Sequence, residues 1–176
     1  VDYSKHKICS MRDKVTIDRV AKLHPKVRNE AKKAIDAAEA GFPPNMAIRV
    51  VQGLRTIAEQ NALYAKGRTT TGPKVTNAKG GSSYHNYGLA IDFAIIHDKN
   101  GDGTFEELSW DTVKDFDKDG KTDWSEVVAQ FEALGWAWGG KFRTFKDYPH
   151  CEKSFGFKPS QLLKMKVDSE GYVIIP

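Results

Sequence analysis

Apolar residues recur at helical spacing early in the chain. Within residues 11–40, Val27, Ala31, Ala34, Ile35 and Ala38 fall three or four apart, Pro25 suits a first helical turn, and Gly41 supplies a stop, so the stretch is predicted helical. Pro43 and Pro44 then break the chain, and the β-branched run from Ala47 to Leu54 predicts a strand. Thr56 followed three residues later by Glu59 forms a capping box, which predicts a helix over 57–66 ending at Gly67 and leaves Arg55 at a strand-to-helix junction. Residues 68–83, RTTTGPKVTNAKGGSS, carry turn formers and few apolar anchors, the pattern of a long loop bordering a site.

From Leu89 to Ile96 the period changes to two. Leu89, Ile91, Phe93 and Ile95 share one face of the predicted strand, and Ala90, Asp92, Ala94 and Ile96 the other. Asp92, flanked by two alanines, is a carboxylate on a face with little bulk around it. Residues 97–122 are acidic and glycine-bearing. Asp123 and Glu126 then repeat the capping pattern and start a helix whose Val127, Val128, Phe131 and Leu134 face a core. GWAWGG and residues 141–149 suggest strands joined by a glycine turn, and the tail after Cys151 a short helix and a final strand. No internal repeat is visible. The 176 residues suit one domain, 1–176, with an N-terminal helical segment 11–40 and an acidic insertion about 97–126.

Composition narrows the classes. At 40% hydrophobic and 28% charged residues, the chain is far from disordered or fibrous proteins. No apolar run reaches the roughly 18–20 residues of a membrane span, and the N-terminal stretch lacks the apolar centre of a signal peptide. Val1 stands where Met would open a new chain, so a removed leader or tag, and hence secretion, stays open. The net charge of +4 favours anionic partners, but the lysines are scattered among acidic residues without a basic stripe, which argues against nucleic acid. Cys9 and Cys151 are too few and too far apart for a disulfide scaffold or a cysteine-rich zinc site; they are two unpaired thiols or, outside a cell, a single bridge.

Hydrolytic zinc takes three ligands from His, Asp or Glu and keeps one position for water. His85, Asp92 and His150 offer such a set. Seven residues of straight strand would turn His85 and Asp92 to opposite faces, so a bend at Gly88 is required. His6, His24 and His97 read as ordinary surface or core histidines, with His97 the best substitute ligand. Trp136 and Trp138 read as packing residues.

Ser83, His85, Gly88, Ala90 and Asp92 match S-x-H-x-x-G-x-A-x-D, and Asp147 and His150 match a later D/E-x-x-H element approached through the WGG of Trp138 to Gly140. Over roughly residues 45–155 the chain thereby resembles the D-alanyl-D-alanine and L-alanyl-D-glutamate family of zinc peptidases. The resemblance implies the Hedgehog-type peptidase fold, an α+β domain with a central antiparallel sheet flanked by helices. It implies zinc on His85, Asp92 and His150, Asp147 as general base and Arg55 assisting. Ser83 is placed to touch substrate or, as a loop serine, to cap a turn. Pro149 permits a turn that would bring Asp147 and His150 inward together. Arg55, always charged, would stabilise an oxyanion or clamp a substrate carboxylate, or else pair with Glu59 or an aspartate. The implied activity is hydrolysis of peptidoglycan stem peptides, at the L-alanyl-D-glutamate bond in the endolysin-like branch, with D-alanyl-D-alanine cleavage as the alternative. The place of action is the bacterial cell wall, reached as a phage endolysin or by secretion, and a monomer is expected.

A second pattern is of another kind. Asp115, Asp117, Asp119, Gly120 and Glu126 match D-x-D-x-D-G-x5-E, the twelve-residue calcium loop, with Lys121 at the carbonyl position and Asp123 at the water-mediated one. Asp98, Asn100, Asp102 and Gly103 begin a related run that ends in Ser109 where the bidentate glutamate belongs, a weak or vestigial site. Calcium would brace the insertion. The competing reading from another class is a calcium-dependent binding module with a structural zinc.

Overall fold

The computed structural model describes residues 11–176. Five strands form one antiparallel sheet: β1 (Met46–Gln52), β2 (Ala90–His97), β3 (Glu107–Ser109), β4 (Ala137–Trp138) and β5 (His150–Glu152). β2 is central. β1 pairs with it along one edge, β5 and β3 share the other edge, and β4 pairs with the outer side of β5. The predicted alternation holds: Leu89, Ile91, Phe93 and Ile95 enter the main core, while Asp92 is the one residue of β2 that is not fully buried.

Helices α1 (Lys14–Ala21), α2 (Pro25–Gly41), α3 (Ile57–Ala65), α4 (Asp123–Ala133) and α5 (Pro159–Leu162) surround the sheet. The core joins Val27, Ala31 and Ile35 of α2 to Val127 and Phe131 of α4 and to the apolar face of β2, where Phe93 packs on Trp124 with ring centroids 4.6 Å apart. The expected single helical stretch over 11–40 is two helices. Asp13 caps α1 by accepting from the Thr16 amide at 3.0 Å, and the chain breaks at His24, which is extended because Pro25 disfavours helical geometry in the residue before it. The His24 amide donates to the Gly88 carbonyl at 2.9 Å, so this break seats the turn leading into β2.

Three other expectations are corrected. Residues 141–149 form no strand: β4 stops after two residues, Gly139–Lys141 make a 3₁₀ turn, and coil follows to Pro149, which has no amide to give to a ladder. The tail ends in a single bridge, Val167 to Val173, because too few residues flank its turn to build a ladder. The cap of α4 is Thr122 rather than Asp123, whose carboxylate instead accepts from the Phe116 amide at 3.1 Å within the acidic loop.

Candidate metal centre

The site forms on the alanine-flanked face of β2. Ser83 accepts from the His85 amide at 3.3 Å and caps a 3₁₀ turn over Tyr84–Tyr87, which Gly88 ends in the left-handed region at φ +67. A side chain at Gly88 would meet the His24 amide at 2.6 Å, so only glycine makes this bend against the α1–α2 break. The bend turns His85 towards Asp92. His150 arrives from β5, whose register sets it directly opposite Asp92.

One oxygen, Asp92 Oδ1, lies 3.2 Å from His85 Nε2 and 3.0 Å from His150 Nδ1, and the imidazole centroids are 5.1 Å apart. Tetrahedral zinc with bonds near 2.0–2.1 Å separates its ligand atoms by about 3.3 Å, so two imidazoles and a carboxylate at this spacing suit that ion. The outer nitrogens are also occupied: His85 Nδ1 lies 2.8 Å from the Gly53 carbonyl and His150 Nε2 2.8 Å from Glu152. Gly53 follows the register irregularity in β1 pairing between Val50 and Gln52.

Electrostatics follow from this packing. Burial disfavours the charge on Asp92, yet the bonds from His150 and His85 outweigh it and hold the carboxyl below the usual range. Burial likewise disfavours charge on His150, but Asp92 and Glu152 on either side raise it to about 9. Asp147 is pushed up from the ordinary carboxylate value, by burial first and then by the Asp92 charge. No hydrogen bond reaches its carboxylate among the described residues, and it lines the same cleft as the cluster. The turn expected at Pro149 is present, with the His150 amide donating to the Asp147 carbonyl at 3.2 Å. Gly139 supports it: the Asp147 amide donates to the Gly139 carbonyl, and a side chain at Gly139 would meet the Asp147 carbonyl oxygen at 2.3 Å.

Arg55 lies 4.0 Å from Asp92 Oδ2, and burial lowers its pKa from the usual guanidinium value. It does not pair with Glu59, which caps Thr56 instead. Nη1 donates to Gln60 at 2.9 Å, and Gln60, fully buried, donates onward to the Ala78 carbonyl. Sequence reasoning missed Gln60 and Glu152; a glutamine inside a helix and a glutamate ending a strand carry no motif. The cleft encloses about 610 Å³ and is also lined by Val75 and Thr76 of the long loop and by Phe142 and Phe145.

His97 lies away from the cluster, at the far end of β2 against Phe116. His24 is buried as the α2 cap, Trp136 is buried, and Trp138 packs against the core and donates to the Tyr148 carbonyl. His6 and Cys9, and with Cys9 the question of its pairing with the buried Cys151, lie outside the described residues. In the acidic loop, Asp115, Asp117 and Asp123 form one group with carboxylate oxygens mutually within 4.8 Å, and Asp117, Asp119 and Glu126 another. Lys121 points its amine at Asp119, 3.6 Å away. The Asp98 run forms no such group among the described residues; Asp98 accepts from the Gly101 and Gly103 amides.

A family model described as D-alanyl-D-alanine carboxypeptidase matches residues 76–153, which include both histidines, Asp92 and Asp147. The chain is 46% identical over 130 residues to the peptidoglycan L-alanyl-D-glutamate endopeptidase CwlK of Bacillus subtilis (strain 168), covering 74% of this chain and 72% of the relative. In fold it matches the crystal structure of the Serratia marcescens L-Ala D-Glu endopeptidase ChiX, with a TM-score of 0.50 at 21% identity, over 85% of this chain and 95% of that one. With the two motif segments meeting in one cleft and a relative this close, the chain belongs to the D-alanyl-D-alanine carboxypeptidase family and is a peptidase.

Proposed function

We propose that this peptidase hydrolyses peptidoglycan stem peptides at the L-alanyl-D-glutamate bond, working at the cell wall with zinc on His85, Asp92 and His150. The observation that carries the reading is the convergence of these three side chains on one face of β2, in a cleft that Asp147 and Arg55 also line. Zinc in such a site supplies Lewis-acid polarisation of the scissile carbonyl and an acidified water. Asp147 is the general base: its carboxylate is not engaged elsewhere among the described residues, and its raised pKa suits taking a proton from water and passing it to the leaving amine. Arg55, aimed by Gln60, stabilises negative charge developing on the carbonyl oxygen. Ser83 lines the cleft, and in this reading it touches substrate. The choice of bond is supported by the named activity of the 46%-identical relative.

Digestion of purified peptidoglycan, with new termini read by mass spectrometry, tests this directly. Free N-terminal D-glutamate (or its amide), lost when zinc is chelated, is the expected result. Release of free D-alanine alone would replace the bond assignment with carboxypeptidase activity, and no new termini would overturn the reading.

A second ion is favoured by one observation in the acidic loop. Glu126 Oε2 is buried without a hydrogen-bond partner among the described residues, at the loop position where calcium takes its bidentate ligand. Burial and the nearby Asp119 and Asp117 charges raise its pKa, a strain that a bound cation relieves. In this reading Asp115, Asp117, Asp119, the Lys121 carbonyl, Asp123 and Glu126 hold calcium, which braces the insertion rather than taking part in hydrolysis.

A further inference from the structure

His150 contacts two carboxylates, and only one belongs to the metal cluster. Nδ1 lies 3.0 Å from Asp92, whereas Nε2 lies 2.8 Å from Oε2 of Glu152. The sheet register brings this about. His150 stands opposite Asp92 on β2, and Glu152, two residues further on, stands opposite Ala90 and therefore projects from the same side of β5. Ala90 offers only a methyl group there, which leaves Glu152 room to turn back onto the imidazole. The Glu152 side chain is 18% exposed, so water competes little for it.

A neutral imidazole that ligates through Nδ1 must carry its proton on Nε2. An ionised carboxylate can only accept, so Glu152 selects that tautomer and also sets the ring plane. From these contacts we infer that Glu152 is a positioning residue: it pins His150 Nε2–H so that Nδ1 faces Asp92 and His85, and it strengthens metal binding without touching the metal. His85 is held in the corresponding way by the Gly53 backbone carbonyl, which substitution cannot remove. Glu152 is thus the member of this outer pair that mutagenesis reaches. The inference rests on the reading of the cluster as a zinc site.

The test measures zinc affinity of the full chain by competition with a chromophoric chelator, independently of turnover. Glu152→Ala is expected to bind zinc about 10–100-fold more weakly. Glu152→Gln keeps a neutral acceptor and should lose roughly three- to tenfold, carrying the test if the alanine variant does not fold. In nitrogen-15 spectra of the zinc-loaded protein, the wild type should show His150 protonated at Nε2, with that proton signal broadened or lost in Glu152→Ala. Wild-type affinity in a folded Glu152→Ala overturns the inference, as does a raised KM for stem peptides at unchanged zinc affinity, which would make Glu152 a substrate contact. His85→Ala separates the two levels: if it kept wild-type zinc binding, the site reading itself would fail, whereas zinc lost in His85→Ala but kept in Glu152→Ala would remove only the role of Glu152.

Discussion

The imidazole cluster and the acidic loop of this molecule are built in opposite ways. The His85, Asp92 and His150 cluster gathers residues 7 and 58 positions apart onto a central strand, and each imidazole has its outer nitrogen engaged, by Gly53 or by Glu152. The acidic loop gathers its carboxylates from twelve consecutive residues; Asp115, Asp117 and Asp119 accept backbone amides of their own turn, and one Glu126 oxygen has no partner among the described residues. The first arrangement is preorganised, since sheet pairing and the hydrogen bonds on the outer nitrogens hold both rings in place. The second leaves like charges close together, an arrangement that the proposed calcium would neutralise. In the proposed reading, the difference separates a site that performs chemistry, where small displacements are costly, from one that tightens a fold.

The comparison is broken most severely through Asp147. If the preorganised cleft is catalytic, Asp147→Ala should lower kcat by about 10²–10⁴-fold while zinc stays bound at one equivalent, read by steady-state kinetics beside metal analysis. Loss of zinc together with activity would instead make Asp147 part of the metal shell.

A smaller effect sharpens the electrostatic half. In zinc-stripped protein, His150 titrates at about 9 when folded, against an ordinary value of 6.5. A pKa raised by folding adds stability that is fully present below 6.5 and is lost as pH rises towards 9. The Asp92 carboxyl is lowered by folding, so its contribution is present above its ordinary 3.8 and is lost on acidification. Urea midpoints of the stripped protein should therefore fall between pH 6.5 and 9, and zinc should abolish that fall, because the metal replaces the proton on Nδ1. A flat profile in the stripped protein would contradict the ion-paired cluster.

The smallest effect belongs to the loop. Calcium at ten times its Kd should add about 1.4 kcal/mol, a rise in Tm of roughly 3–6 °C, with kcat unchanged at temperatures where the enzyme is folded. Glu126→Gln should abolish the rise. A calcium effect on Tm that survives Glu126→Gln would place the ion elsewhere.

Much of the molecule was legible locally. The Thr56–Glu59 capping box, the alternation in β2, the bend at Gly88 and the twelve-residue acidic pattern all rest on spacings of two to eleven residues, which backbone geometry converts directly into a face or a turn. The motif residues named His85, Asp92 and His150 as partners, yet spacing alone could not say which nitrogen of each ring faces the carboxylate. The break at His24 was hidden because apolar periodicity runs on past it, and the coil over 142–149 because its few apolar residues imitate a strand.

By itself the sequence determined the chemistry on offer: two imidazoles, the carboxylates, an arginine at a strand end and glycines where only glycine bends. Only the tertiary structure decided how these are held. The register that sets His150 against Asp92, the turn of Glu152 onto His150, Gln60 beneath Arg55 and the close approach of Gly139 to Asp147 are contacts between segments distant in the chain. Their geometry is fixed by how the sheet and helices share one core, and no local spacing encodes it.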